Sequence, residues 1–209
     1  MTPPTQPALR YVALGDSYTI GTALDSAADR WPEQLVEWLL NVDGSPLLEL
    51  VGNLGVNGFT TRNVIDVELP QLARLEPQFA SLLIGVNDIV QGVPAETYQA
   101  NAAKILDALL VTLEPTRIVT VATPDYTVTP QGASYGDPAT QSAGIRRNNA
   151  ILGRLAAERG IAHVDTFDIS LRAGTDRRLV AGDGLHPSGA QYGLWVERIA
   201  PVVEKLLRA

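Results

Sequence analysis

The 209-residue chain carries 16 Lys and Arg against 23 Asp and Glu, a formal charge of -7, and has no cysteine. That length suits one α/β domain, and the missing cysteine excludes disulfides, thiolate metal sites and a cysteine nucleophile. The negative charge argues against nucleic acid or an anionic membrane surface as main partner, and only His163 and His186 could supply an imidazole.

In chain order, the first nine residues read as a loose Pro-rich tail without the charged start and apolar run of a signal peptide, and residues 10–209 read as a single domain. No stretch approaches 18 consecutive apolar residues, so no membrane span and a cytoplasmic location are expected. Short apolar runs at 11–14, 47–51, 79–84, 117–122 and 162–166 predict buried strands. Between them, Leu35, Val36, Leu39 and Leu40 form a helical stripe after Pro32, a residue suited to a first turn. Tyr98, Ala102, Ile105, Leu106, Leu109, Leu110 and Leu113 form a second stripe, and Trp195, Ile199, Val202, Val203, Leu206 and Leu207 a third. Residues 123–140 read as one long loop rich in Pro, Gly, Thr and Tyr, and loops of that length are often functional. Five strands alternating with helices predict an α/β fold with a parallel sheet covered on both sides, a three-layer α/β/α sandwich, and analogy with flavodoxin-like folds gives the expected order 2-1-3-4-5.

In such a sheet, ligands bind beyond the carboxyl ends of the strands where strand order reverses, here between the first and third strands. Three neighbouring strands end there in Gly15-Asp16-Ser17-Tyr18, in Gly55-Val56-Asn57-Gly58-Phe59-Thr60 and in Gly85-Val86-Asn87-Asp88. A serine hydroxyl attacks only when a base takes its proton. His186, in the polar turn Asp183-Gly184-Leu185-His186-Pro187-Ser188 before the last helix, is the better candidate base, with Ser188 as the helix cap. Asp183, three residues earlier, can accept the proton on the other ring nitrogen and fix the tautomer. His163, inside a strand beside Val164 and Asp165, reads as a packed residue, and its spacing from Asp165 and Asp168 matches no metal pattern. The backbone N–H groups of Ser17 and Gly58 and the side-chain amide of Asn87 would emerge together as donors for an oxyanion.

These four segments resemble the conserved blocks of SGNH/GDSL hydrolases, in family order and across nearly the whole chain. The resemblance implies a serine ester hydrolase acting through an acyl-enzyme, with Ser17, Asp183 and His186 as triad and Ser17, Gly58 and Asn87 as oxyanion hole. It implies no cofactor and no metal. Tyr18 stands where the family's name has leucine, and is a candidate pocket residue together with Phe59 and Tyr126; Trp31 and Tyr135 are further candidate walls. Gly132-Ala133-Ser134-Tyr135-Gly136 matches the nucleophile elbow of a different hydrolase fold, but it lies in a Pro- and Thr-rich loop where a strand-to-helix turn is required. Arg172, Arg177 and Arg178 read as a solvated loop. The expected substrate is a small molecule, a short acyl or acetyl ester such as an acetylated carbohydrate or metabolite. The alternatives are a lysophospholipase or thioesterase, an acyltransferase on the same scaffold, and a flavodoxin-like binding module without turnover.

Overall fold

The computed structural model describes residues 7–208. Five strands, β1 (Leu9–Gly15), β2 (Leu48–Asn53), β3 (Phe79–Leu83), β4 (Ile118–Val121) and β5 (Ala162–Val164), pair in parallel in the order β2-β1-β3-β4-β5. The expected fold class and strand order are therefore both found. Of the expected tail at 1–9, residues 1–6 lie outside the described residues, and β1 starts at Leu9.

Alternation along the strands sends side chains to two cores. Tyr11 and Ala13 of β1, Phe79 and Leu83 of β3, and Val119 and Val121 of β4 face one layer. That layer holds the amphipathic helices α2 (Trp31–Leu40) and α9 (Gly189–Arg208), which pack on each other. Val12, Leu14, Ala80, Leu82 and Ile118 face the other layer, built from α6 (Ala95–Leu110) and α7 (Pro138–Glu158). Short helices follow three strands: α1 (Ser17–Ile20) after β1, α5 (Val86–Val90) after β3 and α8 (Phe167–Leu171) after β5. After β2, α3 (Thr61–Asn63) runs through a π turn (Val64–Glu68) and a 3-10 turn (Leu69–Gln71) into α4 (Leu72–Leu75). No helix among the described residues is long and apolar enough to cross a membrane.

Three expectations change. The loop expected over 123–140 ends at Asp137, whose carboxylate accepts the Thr140 N–H at 2.8 Å and caps α7, with Pro138 in the first turn. The α7 stripe escapes periodicity because Asn148, Asn149 and Gly144 occupy buried positions in it. β5 stops at Val164 because the Asp165 carboxylate accepts the Phe167 N–H at 2.8 Å and turns the chain into α8. Trp31 is fully buried, packed by α2 into the first core, and so forms no pocket wall.

The β2 exit lies directly on the β1 exit. Asn53 Nδ2 donates to the Thr19 carbonyl at 2.8 Å, and Gly55 lies so close that a Cβ there would meet Asp16 O at 2.6 Å and Ile20 N at 2.7 Å. Both obstacles are backbone atoms and cannot swing away. Gly55→Ala is therefore expected to lower unfolding stability by about 3 kcal/mol, the upper end for one methyl forced into a packed site. A urea titration checks this, and an unchanged midpoint would show that the two exits are free to separate.

Candidate active site

β1 leaves the sheet through Gly15 into a turn held from both sides. The Asp16 carboxylate accepts the Tyr18 N–H at 3.0 Å and caps α1, which starts at Ser17. The Gly15 N–H donates to Glu68 Oε2 at 2.9 Å, a carboxyl brought inward by the π turn after α3. Asp16 and Glu68 are both fully buried. Burial pushes the Asp16 carboxyl up to about 8 and the Glu68 carboxyl up to about 9, each against the pull of its backbone hydrogen bond, with Asp16 further raising Glu68. Asp88 on α5 is buried too and lies close enough to raise Asp16. Its own carboxyl is pushed up by burial, opposed by the N–H and hydroxyl of Thr61 at 3.0 and 2.6 Å.

The β2 exit carries Gly58, whose φ of +80° and open surroundings leave its N–H clear of any side chain of its own. Two amides from α5 fix this loop. Asn87 Nδ2 donates to the Phe59 carbonyl and Gln91 Nε2 to the Gly58 carbonyl, both at 2.9 Å. Asn87 thus spends one of its two amide hydrogens on the loop and keeps the other. Gln91 is a positioning residue that sequence reading missed, although its four-residue spacing from Asn87 places it on the same helix face. Phe59 does not line the cleft; its carbonyl, held by Asn87, is what it contributes to the site.

On the far side, the turn before α9 holds His186. Asp183 accepts the backbone N–H groups of Leu185 and His186 at 2.9 and 3.0 Å, and its second oxygen lies 2.6 Å from His186 Nδ1. Burial pushes the Asp183 carboxyl up, but the hydrogen bonds from the His186 ring and the two backbone groups outweigh it and hold it below the usual range. An acceptor-only carboxylate at that distance requires the proton on Nδ1, which leaves the Nε2 lone pair free. The Tyr18 ring packs on the imidazole with centroids 5.5 Å apart. Ser188 caps α9, its hydroxyl accepting the Gln191 N–H at 3.3 Å.

Ser17, Gly58, Asn87 and His186 line one cleft of about 270 Å³, together with Tyr18, Asn57, Val86, Val90, Tyr126, Tyr135 and Leu185. No hydrogen bond joins Ser17 to His186; such contacts are often long until substrate is bound. The other candidates fall elsewhere. His163 is hydrogen-bonded through Nδ1 to the Thr120 hydroxyl at 2.9 Å, and burial lowers its affinity for a proton. Ser134 sits in an exposed 3-10 turn outside the cleft lining. Arg178 pairs with Asp176 at 2.8 Å on an exposed turn. Among the described residues, no group of three or more His, Asp or Glu is placed to hold a metal ion.

The sequence model of the GDSL-like Lipase/Acylhydrolase family matches residues 13–194. A catalytic mutant of Axe2, an acetylxylan esterase from Geobacillus stearothermophilus, superposes with a TM-score of 0.74 at 17% identity, covering 93% of this chain and 94% of that one. TesA superposes at 0.72 with 22% identity, covering 95% and 99%. A putative lipolytic protein of the G-D-S-L family from Desulfitobacterium hafniense gives 0.73 at 20% identity, covering 93% and 99%. At these identities the likeness is one of fold. No curated protein matches the sequence.

The buried acids carry a pH signature. Unfolded, Glu68 ionises near 4.5; folded, it keeps its proton to about 9. Through that window the folded state binds more protons than the unfolded chain, so stability is lost as pH rises. Glu68→Gln retains an acceptor for the Gly15 N–H but cannot ionise. Its melting temperature relative to wild type is expected to climb steadily between those two pH values. Calorimetry across the range checks this, and a constant difference would place the pH dependence elsewhere.

Proposed function

The chain belongs to the GDSL-like lipase/acylhydrolase family, a carboxylic ester hydrolase by that membership, and we propose that it cleaves neutral esters of a short acyl group through a Ser17 acyl-enzyme. The observation that carries this reading is the Asp183–His186 pair at 2.6 Å on a cleft also lined by Ser17, Gly58 and Asn87.

In this reading, Ser17 Oγ attacks the ester carbonyl as its proton passes to His186 Nε2, and Asp183 stabilises the resulting imidazolium. Negative charge develops on the carbonyl oxygen, within reach of the Ser17 and Gly58 N–H groups and the second amide hydrogen of Asn87. Collapse breaks the bond to the leaving oxygen, which takes the proton from His186 and departs as the alcohol. Water, deprotonated by the same imidazole, then attacks the acyl-enzyme, releasing the carboxylic acid and restoring Ser17.

The cleft lining supports the substrate class. It contains no Lys or Arg, and the chain as a whole is negative, so nothing there offsets the charge of a phosphate-bearing or other anionic ester. Its volume of about 270 Å³ lies just below the usual range for ligand pockets, about 300–1,000 Å³, which favours a short acyl chain over a long lipid tail. The described activity of the acetylxylan esterase with the same fold is consistent with an acetylated carbohydrate as physiological substrate.

Ser17→Ala is expected to lower kcat on an activated acetate ester by about 10⁴–10⁶-fold. Asn87→Ala should lower it by about 10²–10³-fold, as one oxyanion donor is lost. Both are measured by steady-state kinetics on the purified variants, and a serine-directed fluorophosphonate should label Ser17. Wild-type turnover in Ser17→Ala, or labelling at Ser134 with Ser17 untouched, would sink the assignment.

A further inference from the structure

The segment between β4 and α7 forms a braced wall. Its first 3-10 turn, Tyr126–Val128, is capped by Asp125, which accepts the N–H and hydroxyl of Thr127 at 3.0 and 2.6 Å and the Ser142 hydroxyl at 2.5 Å. Its second, Gly132–Tyr135, stacks on the first through Gly132, where a Cβ would meet Tyr126 O at 2.3 Å. Tyr126 is buried and its hydroxyl donates to Gln141 of α7 at 2.9 Å. The Tyr135 and Tyr126 rings meet in a T-shaped contact, with centroids 5.5 Å apart and planes at 72°, yet Tyr135 stays 42% exposed in the cleft lining. This wall is tied to the His186 turn, since the Gln131 N–H donates to Gly184 O at 3.1 Å and Leu185 joins the same lining.

That attachment decides which half of an ester the wall meets. His186 must reach the leaving oxygen to protonate it, so the alcohol half lies on the His186 side. The oxyanion donors on Gly58 and Asn87 come instead from the β2 and β3 exits. On the assumption of the serine esterase mechanism above, we propose that Tyr126, Tyr135 and Leu185 form the subsite for the leaving alcohol, and that this alcohol bears a flat-faced ring. A tyrosine ring braced by a neighbouring ring and still 42% exposed in the cleft offers a stacking platform at little entropic cost. A phenol and a pyranose both supply such a ring, their shared property being an apolar face.

The test uses three acetates with the same acyl group: phenyl acetate, an acetylated methyl pyranoside and ringless ethyl acetate. For each ring ester, kcat/KM is divided by that for ethyl acetate in the same enzyme preparation, so a general loss of active protein cancels. Tyr135→Ala is expected to lower this ratio by about 3–10-fold, the equivalent of one aromatic contact. Tyr135→Phe should preserve it. A drop for phenyl acetate alone assigns an aryl alcohol, a drop for the pyranoside alone a sugar, and a drop for both the ring face in general. Unchanged ratios for both ring esters, or an equal drop in Tyr135→Phe, overturn the subsite. Ethyl acetate turnover that disappears in Ser17→Ala checks the esterase reading separately, and turnover that survives in Ser17→Ala overturns that reading whatever the ratios do.

Discussion

The lateral order of the sheet, with β1 hydrogen-bonded to β2 on one side and to β3 on the other, is the constraint from which the cleft follows. Parallel strands all end at the same edge, so the three adjacent strands β2, β1 and β3 deliver their exit loops side by side. Distance along the chain then matters little: Ser17, Gly58 and Asn87 are neighbours because their strands are. The last turn before α9 completes the cleft from the opposite direction. Because α9 packs on α2, and α2 on the same face of the sheet, that turn is placed by core packing and not by any contact with Ser17.

Beneath the exits lies an arrangement that composition alone would not suggest. Three carboxyl side chains, Asp16, Glu68 and Asp88, are buried around one turn, and the partners found for them are backbone N–H groups and the Thr61 hydroxyl. Ionised carboxylates in such a place would be costly, and burial accordingly holds Asp16 and Glu68 near 8 and 9. What the arrangement offers is directional hold. A carboxyl grips a loop N–H at a fixed point, as Glu68 does at Gly15 and Asp88 at Thr61, where apolar packing would leave the loop free to slide. The strand exits are thereby fixed to one another.

The sheet and the chemistry-bearing turns were legible in the sequence because they rest on short-range signals. Apolar runs ending in Gly-Asp-Ser, Asn-Gly and Gly-Val-Asn-Asp identify strands and their exits, and a chain with two histidines leaves a short list of candidate bases. α7 was illegible for the opposite reason. It spans two cores, placing Ile145 in one and Leu152 in the other, and buries Asn149 to bind the backbone of Thr123 at both N–H and C=O, which breaks the apolar stripe. Gln91 and Glu68 were equally hidden, since each acts on a segment remote in sequence. Phe59 shows the same limit: it was expected as a pocket residue but is absent from the cleft lining, because the turn presents its carbonyl to Asn87, a conformation that residue type does not encode.

Asn87 joins these levels. One amide hydrogen holds the Phe59 carbonyl, and the residue also lines the cleft, so Asn87 both fixes the β2 exit and borders the space beside it. Gln91, one helical turn on, grips the adjacent carbonyl of Gly58 and removes the freedom that a glycine at φ +80° would otherwise retain. With both carbonyls held, by Asn87 of α5 and by Gln91 at its end, the chain around Phe59 is tied to the β3 exit before anything enters the cleft.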